Sequence, residues 1–536
     1  MKKVVIIGSG LSGLTCSIKL AKLGIKSIVV SPYPSERSQS VMAAGGINAA
    51  IGKDDEISLH IHETYQGGCC IEEYDTIKEL CESAPSIISW LESLGTVFTK
   101  DLNGKISLRA FGGQSKKRTV YAGASTGKQI MTALINEARK YENLGLIERK
   151  MGRYFHSALI NNGTSYGVVL YNDINKKMEI ETSDAVVIAS GGQNALFGKT
   201  TGSVLCDGYV TGKLFTQGVT LKNLEFIQYH PTTIETSQKR MLITEACRGE
   251  GGRLYYLDDD KRVYFMEDIY GERGNLMPRD IVAKHIYDAP SQVYLDISFL
   301  GKALIDAKLS EVKELCKKYI NLDVTKDSIP VYPSVHFFMG GIAVNRKHQT
   351  NIKNLYAIGE CASVYHGANR LGGNSLLAAI RGGIVAANTI KEEDVVTNIP
   401  DFSNYIEIQK EGLEENLNSK SNFSAFYIRQ EIVKILDNSL GITRSQEKLI
   451  KGIEDIEYYI NICDRLEFDN DVSYYVSYSL KSLLILSKAI LLSALNRKES
   501  RGSHIRIDYP NKLEEYSKPT YIKYMNGKYD ITIGME

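Results

Sequence analysis

Short apolar runs that end at glycine residues predict the strands of a parallel sheet. Lys3-Val-Val-Ile-Ile7 is a β-branched run that stops at Gly8, which is typical of a strand buried on both faces. Residues 185–192 and 355–360 repeat this pattern of an apolar run followed by glycine. Because the three junctions lie far apart in the chain, we predict one nucleotide-binding domain interrupted by an insertion from about His230 to Tyr332.

The glycines after the first strand predict a dinucleotide site. Gly8-Ser-Gly10-Leu-Ser-Gly13 separates that strand from a segment with helical spacing, 14–23, and a second strand follows at 27–30. In such a βαβ unit, Gly8, Gly10 and Gly13 allow a tight turn and let backbone N–H groups reach a pyrophosphate.

The second strand lacks the acidic residue that usually binds a ribose hydroxyl. It ends at Ser31, and Glu36 follows in the next loop. We predict that Ser31 contacts the ribose, with Glu36 as the alternative. The missing acidic residue argues more strongly against an NAD site than against a nucleotide site in general.

Helical patterns dominate two other parts of the chain. Residues 54–140 read as helices around a glycine-rich turn at 110–115, and long charged amphipathic helices follow Asn398. The most apolar stretch, 483–495, contains serine and lysine and is shorter than the ~20 apolar residues that a bilayer requires. We therefore predict a buried helix there and no direct membrane span.

Composition excludes several classes of protein. Apolar residues make up 43% of the chain and charged residues 24%, as in ordinary globular proteins. The 64 Lys and Arg nearly balance the 63 Asp and Glu, so no nucleic-acid partner is expected. The nine cysteines form no CxxC pair, which argues against a zinc site, a built-in iron–sulfur cluster and a disulfide scaffold. Free thiols fit a cytoplasmic protein, or one that is peripheral to a membrane through a partner.

Several long motifs resemble the flavoprotein family of succinate dehydrogenase, fumarate reductase and L-aspartate oxidase. The likeness covers almost the whole chain. It is carried by SQSVMAAGGINAA (38–50), AFGGQS (110–115), QYHPT (228–232), TEACRGEGG (244–252), PRD (278–280), HFFMGG (336–341), AIGECASVYHGANRLGGNSL (357–376) and ESRGSHIRIDYP (499–510).

The resemblance implies an α/β fold with a Rossmann-like FAD-binding domain interrupted by an α+β capping domain and followed by a C-terminal helical domain. The expected FAD-binding domain comprises residues 1–229 and 333–397. The expected capping domain comprises residues 230–332, and the helical domain with its tail comprises residues 398–536.

The resemblance also implies an FAD-dependent interconversion of fumarate and succinate, in which the flavin exchanges a hydride with the substrate. It places His230, Thr244, His336 and Arg370 at the substrate carboxylates, with His336 also polarising the substrate. Arg279 is the expected proton donor. A C4-dicarboxylate needs several cationic or N–H donors, and arginine binds carboxylates with two parallel hydrogen bonds. The sequence offers five such side chains, those of His230, Arg248, Arg279, His336 and Arg370.

An arginine is an unusual proton donor, because a free guanidinium keeps its proton up to about pH 12. The role requires a neighbouring acid that resupplies the proton, and the resemblance implies that Glu245 begins this relay. Asp280, next to Arg279 in the chain, is expected either to orient the arginine or to cap a helix.

The resemblance adds further FAD contacts to the glycine motif, and all are expectations. These residues are Ser38, Gly45, Gly46, Asp207, Glu360, Ser375 and Leu376. Gln39 occupies the position at which respiratory members carry the histidine that binds FAD covalently. An amide cannot form that bond, so we predict non-covalent FAD and, with the lower flavin potential that follows, a preference for fumarate reduction.

Phe111 separates the two most plausible activities. L-aspartate oxidases resemble one another in having a glutamate before the glycine pair of 112–113, where its charge suits a substrate ammonium. An aromatic wall leaves an ammonium unpaired, which is costly when buried. The sequence therefore favours fumarate and succinate, with L-aspartate oxidase as the alternative. The electron partner is expected to be an iron–sulfur subunit that docks near residues 501–508, with oxygen and a diffusible donor left open.

Overall fold

A five-stranded parallel sheet forms the centre of the protein. The structure, a computed structural model, describes residues 2–123, 125–237, 239–402, 404–405, 424–463 and 474–534. The order of its strands is β20 (Leu355–Ala357), β10 (Ala185–Ile188), β1 (Lys3–Ile7), β2 (Lys26–Ser31) and β6 (Ile147–Met151), and all their pairings are parallel. The three predicted strand-to-glycine junctions therefore lie on adjacent strands, β1, β10 and β20, although they are distant in sequence.

The first part of the chain supplies most of this sheet. Its strands are β1 (Lys3–Ile7), β2 (Lys26–Ser31), β3 (Ile47–Asn48), β4 (Leu108–Arg109), β5 (Thr119–Val120), β6 (Ile147–Met151), β7 (Arg153–Asn161), β8 (Thr164–Asn172), β9 (Lys177–Thr182), β10 (Ala185–Ile188) and β11 (Leu221–Lys222). Its helices are α1 (Leu11–Lys22), α2 (Ile57–Gly67), α3 (Tyr74–Ser93), α4 (Thr126–Asn143) and α5 (Tyr209–Thr216).

The predicted insertion forms a unit of its own beside the sheet. It contains β12 (Ile227–Glu235), β13 (Arg240–Leu242), β14 (Arg253–Asp258), β15 (Lys261–Val263), β16 (Val293–Asp296), β17 (Ile329–Pro330) and β18 (Tyr332–Phe338), with α6 (Ala246–Gly249), α7 (Phe265–Tyr270), α8 (Arg279–Asp288), α9 (Lys302–Lys308) and α10 (Ser310–Ile320). Strands β12 and β18 pair with each other across both predicted boundaries. The unit has its own hydrophobic cluster, which Phe111 joins from outside it.

The last part of the chain returns to the central sheet and then becomes helical. It contains β19 (Gly341–Ala343), β20 (Leu355–Ala357), β21 (Ala362–Ser363), α11 (Asn374–Glu392), α12 (Ala425–Ser439), β22 (Thr443–Arg444), α13 (Gln446–Ile462), α14 (Tyr474–Asn496), β23 (Ile505–Arg506), β24 (Thr520–Met525) and β25 (Lys528–Ile533). The β24–β25 hairpin is not predicted by the sequence patterns. It extends a second sheet, in which β24 pairs with β11.

Helix α14 contains the apolar stretch 483–495 and is buried as predicted. Leu483, Leu486 and Leu491 share one hydrophobic cluster with side chains of β1 and β10, so the C-terminal helices and the central sheet have a common core. Among the described residues, only this helix has the length and composition to cross a bilayer, and 72% of its apolar window is buried within the protein.

Candidate functional site

The predicted site residues meet in one cavity. Its volume is about 480 Å³, and it extends from the ends of β1 and β2 to the insertion. The predicted residues that line it are Gly8, Gly10, Ser31, Ser38, Gln39, Gly45, Gly46, Phe111, Asp207, His230, Thr244, Glu245, Arg279, His336, Glu360, Arg370, Ser375 and Leu376. Gly13 does not line it. Residues assigned to cofactor and to substrate thus share a continuous space, whereas their individual roles stay predictions.

Two glycines close the turn between β1 and α1. A Cβ atom on Gly8, whose φ is +117°, would lie 2.2 Å from the Ala189 carbonyl oxygen, and one on Gly13 would lie 2.0 Å from the Gly8 carbonyl oxygen. Any larger side chain would therefore push α1 away from the sheet. Gly13 allows this close packing but does not line the cavity, whereas Gly8 and Gly10 form part of the cavity wall.

Two helices begin at the cavity. Helix α1 follows Gly10, and α11 follows Gly373, whose φ is +86°. Neither helix has an acidic residue in its first turn, and both N-cap residues are glycines without a side chain to cap the helix. In α1 the Leu11 N–H donates to Ser40 Oγ at 3.2 Å. Free N–H groups and the positive end of the helix dipole attract anions. The cavity is therefore suited to the phosphates of a dinucleotide at α1, and Ser375 and Leu376 lie at the start of α11.

Buried polar atoms without partners support the fit of FAD. Ser38 Oγ and Gln39 Oε1 are buried without a hydrogen-bond partner among the described residues, although both residues line the cavity. Such atoms usually mark a missing ligand or water. Ser31 fits less well than predicted, because its hydroxyl donates to the Tyr33 carbonyl and accepts from the Tyr33 N–H.

Two carboxyl groups, of Asp207 and Glu360, line the cavity. Asp207 accepts hydrogen bonds from the Tyr475 hydroxyl at 2.8 and 2.9 Å and pairs with Arg429, so the C-terminal helices hold it in place. Burial raises the pKa of Glu360 to about 7, although the Phe338 N–H and Arg370 oppose this shift. Glu360 can therefore be protonated at neutral pH.

Arg279 lies at the other end of the cavity and is bound by Glu245. Its Nε and Nη2 donate to Glu245 Oε2 at 3.0 and 2.6 Å. Glu245 Oε1 accepts from the Gly112 N–H at 2.8 Å and lies 3.4 Å from Arg248 Nη2. Burial raises the pKa of Glu245, but Arg279, Arg248 and the Gly112 N–H outweigh it and lower the pKa to about 2. Glu245 is thus ionised between two arginines.

Two histidines and a second arginine complete this end. The rings of His230 and His336 lie 5.0 Å apart. The backbone of Thr232 holds His230 at Nδ1, and Thr201 Oγ1 lies 2.7 Å from His336 Nδ1, which leaves Nε2 of each ring for a ligand. Burial, together with nearby arginines, lowers the pKa of both histidines well below the ordinary value. They are therefore neutral groups and not cations.

Arg370 is buried above the Phe337 ring, with its guanidinium carbon 4.3 Å from the ring centre. Its Nε has no hydrogen-bond partner among the described residues. Burial and the charge of Arg279 lower the pKa of Arg370 well below the ordinary value. Two adjacent buried cations are costly unless an anion lies between them, so this wall favours a negatively charged ligand.

Asp280 does not orient Arg279 directly. Its Oδ1 accepts from Asn369 Nδ2 at 2.8 Å. It lies in the first turn of α8, whose N-cap residue is Pro278, so the predicted role as a helix cap stays a prediction. Gln228, which is not among the predicted site residues, has an amide oxygen that accepts from both Arg279 and Arg370. Arg248, a candidate cation without a predicted role, lies beside Glu245. The only indication in the sequence that Gln228 belongs to the site is that it begins the QYHPT motif.

Comparisons with known proteins cover the whole chain. The family described as FAD binding domain matches residues 3–376, and the family described as fumarate reductase flavoprotein C-term matches residues 429–536. The succinate dehydrogenase flavoprotein subunit of Bacillus subtilis is 35% identical over 553 residues, covering 98% of this chain and 94% of that protein. The L-aspartate oxidase of Acinetobacter baylyi is 31% identical, covering 97% and 95%.

Solved structures of fumarate reductases also match the chain. A quinol-fumarate reductase with menaquinol molecules has a TM-score of 0.90 and 29% identity, covering 100% of this chain and 98% of that chain. A variant of the E. coli quinol fumarate reductase has a TM-score of 0.88 and 28% identity, covering 100% and 97%. The predicted fold class and family are confirmed. The chain belongs to the succinate dehydrogenase and fumarate reductase flavoprotein family and is an FAD-dependent oxidoreductase.

Proposed function

We propose that the protein interconverts fumarate and succinate and works mainly as a fumarate reductase. The observation that carries this proposal is the pairing of Arg279 with Arg370 at a cavity wall that Phe111 also lines. Arg248, Arg279 and Arg370 carry two more positive charges than Glu245 neutralises. A dicarboxylate with an uncharged carbon–carbon unit complements both the charge and the aromatic wall.

In this proposal the two carboxylates are bound by different kinds of donor. Arg370 supplies charge and its unpaired Nε–H. His230 and His336 supply neutral N–H groups, and Thr244 supplies a hydroxyl at the same cavity. Hydrogen bonds to a substrate carboxylate stabilise the negative charge that develops on the adjacent carbon. FAD, when bound, would exchange a hydride with the other carbon of the double bond.

Arg279 transfers the proton in this proposal. Its Nε and Nη2 are bound to Glu245. Because Glu245 is ionised at rest, it must first take up a proton from the Arg248 side and then pass that proton along these hydrogen bonds to an Arg279 that has given one to the substrate. Arg248 extends this path on the far side of Glu245. The strongly acidic Glu245 is ionised, and it stabilises the protonated form of Arg279 between turnovers.

L-Aspartate oxidase remains the second candidate. Two observations favour it. The chain is 31% identical to the Acinetobacter baylyi enzyme, and the amide at Gln39 suits it, because the resemblance implies non-covalent FAD for L-aspartate oxidases as well. The substrate end disfavours it, because the carboxylate of Glu245 is already bound by Arg279, Arg248 and Gly112. A substrate ammonium would then be buried beside Phe111 without a partner.

A two-arm assay separates the candidates. We expect the dithionite-reduced, FAD-loaded protein to be reoxidised rapidly by fumarate under anaerobic conditions, as measured by the return of flavin absorption. In the second arm, the oxidised protein with L-aspartate and oxygen is expected to form no hydrogen peroxide. Peroxide with oxaloacetate in that arm, and no reoxidation by fumarate, would replace the proposal with the oxidase.

We infer that FAD is held without a covalent bond. Gln39 lines the cavity with an unpaired amide oxygen, and an amide offers no nucleophile for such a bond. Acid precipitation of the purified protein is therefore expected to release all of the yellow flavin into the supernatant. Flavin fluorescence that stays with the denatured chain on a gel would contradict the inference.

An electron partner belongs to the same proposal. Among the described residues, no cluster of three or more His, Cys, Asp or Glu side chains could hold a metal ion. We propose that the electrons are exchanged with an iron–sulfur subunit that also brings the chain to a membrane surface. The Bacillus subtilis and Serratia relatives are named as flavoprotein subunits, which supports a partner of this kind.

A further inference from the structure

Gln228 lies behind the cavity wall and connects its two arginines. The residue is at the start of β12, is fully buried and does not line the cavity. Its Oε1 accepts from Arg279 Nη1 at 3.0 Å and from Arg370 Nη2 at 3.0 Å. One amide oxygen thus holds two guanidinium groups that come from the insertion and from the last part of the sheet domain.

The orientation of this amide is fixed by its partners. Guanidinium groups can only donate, so the oxygen of Gln228 must face them. Its Nε2 donates to the Arg370 carbonyl at 2.7 Å and to Asn369 Oδ1 at 2.8 Å. A flipped amide would place its NH₂ group against two cations and leave two buried acceptors unpaired, which is costly.

Asn369 extends the network and fixes its direction. Because its Oδ1 accepts from Gln228, its Nδ2 faces Asp280 and donates to Oδ1 at 2.8 Å. The network therefore has arginines, which only donate, at one end and a carboxyl acceptor at the other. Arg279 and Asp280 are consecutive residues in α8, so the network returns to the helix from which it started.

The neutrality of Gln228 matters as much as its shape. A carboxylate in its place would also accept from both arginines, but it would cancel a positive charge that the dianionic substrate requires. A purely apolar side chain would leave two adjacent guanidinium groups without their shared acceptor. The amide avoids both outcomes, because it lowers the repulsion between the cations and keeps their full charge available.

We propose that Gln228 is a positioning residue that sets the geometry and the net charge of the dicarboxylate site, acting through Arg279 and Arg370. This inference rests on the function proposed above. It assigns to Gln228 both the orientation of Arg279 for proton transfer and the preference of the site for a doubly charged ligand.

Two variants separate charge from orientation. Gln228→Glu keeps the acceptor and adds a charge, and Gln228→Met removes the acceptor without adding a charge. Each is purified with FAD, and its flavin content and thermal unfolding are compared with those of the wild type. Gln217→Glu is the matched control, because the Gln217 amide also makes two hydrogen bonds, to the Ala158 backbone, and neither residue lines the cavity.

The first readout is binding of malonate, an unreactive dicarboxylate, followed by the perturbation of flavin absorption in the oxidised protein. The second is steady-state fumarate reduction with a reduced viologen dye. For Gln228→Glu we expect the malonate Kd and the fumarate KM to rise at least about tenfold. This is the effect expected when the added carboxylate cancels one of the positive charges that bind the dicarboxylate. For Gln228→Met we expect kcat to fall about tenfold or more through misorientation of Arg279, with a malonate Kd within about threefold of wild type.

Unchanged malonate binding in Gln228→Glu, or an unchanged kcat in Gln228→Met, would overturn the inference while the wild type still reduces fumarate. Equal losses in Gln217→Glu would overturn it as well, since the effect would then be one of stability. If Gln228→Glu does not retain FAD, the uncharged Gln228→Met decides. A wild type that neither binds malonate nor reduces fumarate would instead refute the proposed function, and the inference with it.

Discussion

Replacing Arg279 with glutamine is expected to lower fumarate turnover by about three orders of magnitude, in the middle of the range of about 10² to 10⁴ for a lost proton donor. Glutamine retains a hydrogen-bonding side chain of moderate length but cannot deliver a proton from a cation. FAD should remain bound, because Arg279 lies at the Glu245 end of the cavity, away from the glycine turn at Gly8. Steady-state kcat and the flavin content per chain are the two measurements.

Two control variants make this result specific. Arg279→Lys keeps a cation but cannot form the paired hydrogen bonds to Glu245, so it should recover only part of the lost activity. Arg262→Gln removes a half-exposed arginine from the same insertion, where it pairs with the buried Asp296 and does not line the cavity, and should leave kcat unchanged. Near-normal turnover in Arg279→Gln would refute its assignment as the proton donor.

The sequence predicted those parts of the site that local patterns determine. The turn from Gly8 to Gly13 lies within one βαβ unit, so its geometry follows from neighbouring residues. Glycine or proline bounds the motifs with Arg279, His336 and Arg370, which predicts ligand-binding loops. Only Arg370 lies outside helices and strands, because Arg279 begins α8 and His336 lies in β18. These segments then meet at one cavity, as the family resemblance implies.

The unpredicted features depend on contacts between distant segments. Gln228 meets Arg279 and Arg370 across 51 and 142 residues, and Tyr475 reaches Asp207 across 268 residues. No spacing rule connects such positions. The charge state of the histidines was equally inaccessible, because the pKa of His336 is lowered by burial and by neighbours that only the fold brings together.

The β24–β25 hairpin illustrates the same limit at the level of the fold. Its strands alternate in exposure, as expected for the edge of a sheet. Nothing in the sequence indicates that β24 pairs with β11, which lies about 300 residues earlier. Strands that are close together in sequence pair most often. Charged helices before the hairpin also made a purely helical C-terminal part the simpler prediction.

Glu245→Gln tests the buried acid that binds Arg279 and Arg248. We expect two separate losses. Turnover should fall at least about a hundredfold, because the proton that Arg279 gives up is no longer replaced. The free energy of unfolding should fall by about 3 to 5 kcal/mol, because two buried arginines lose their counter-charge. Glu148→Gln is the matched control, since its surface pairs with Lys26 and Lys150 should contribute about 1 kcal/mol or less.

The pH dependence of stability identifies the same group independently. The pKa of Glu245 is lowered to about 2 in the folded protein, below the value of about 4.3 for an unfolded glutamate. Its stabilising effect is therefore complete above about pH 5 and disappears as the pH falls toward 2, a change of about 3 kcal/mol. In urea unfolding curves between pH 5 and 3, the wild type should lose stability more steeply than Glu245→Gln. Parallel pH profiles for the two proteins would show that Glu245 does not carry the ionised bridge, and the proton path through it would fall with that result.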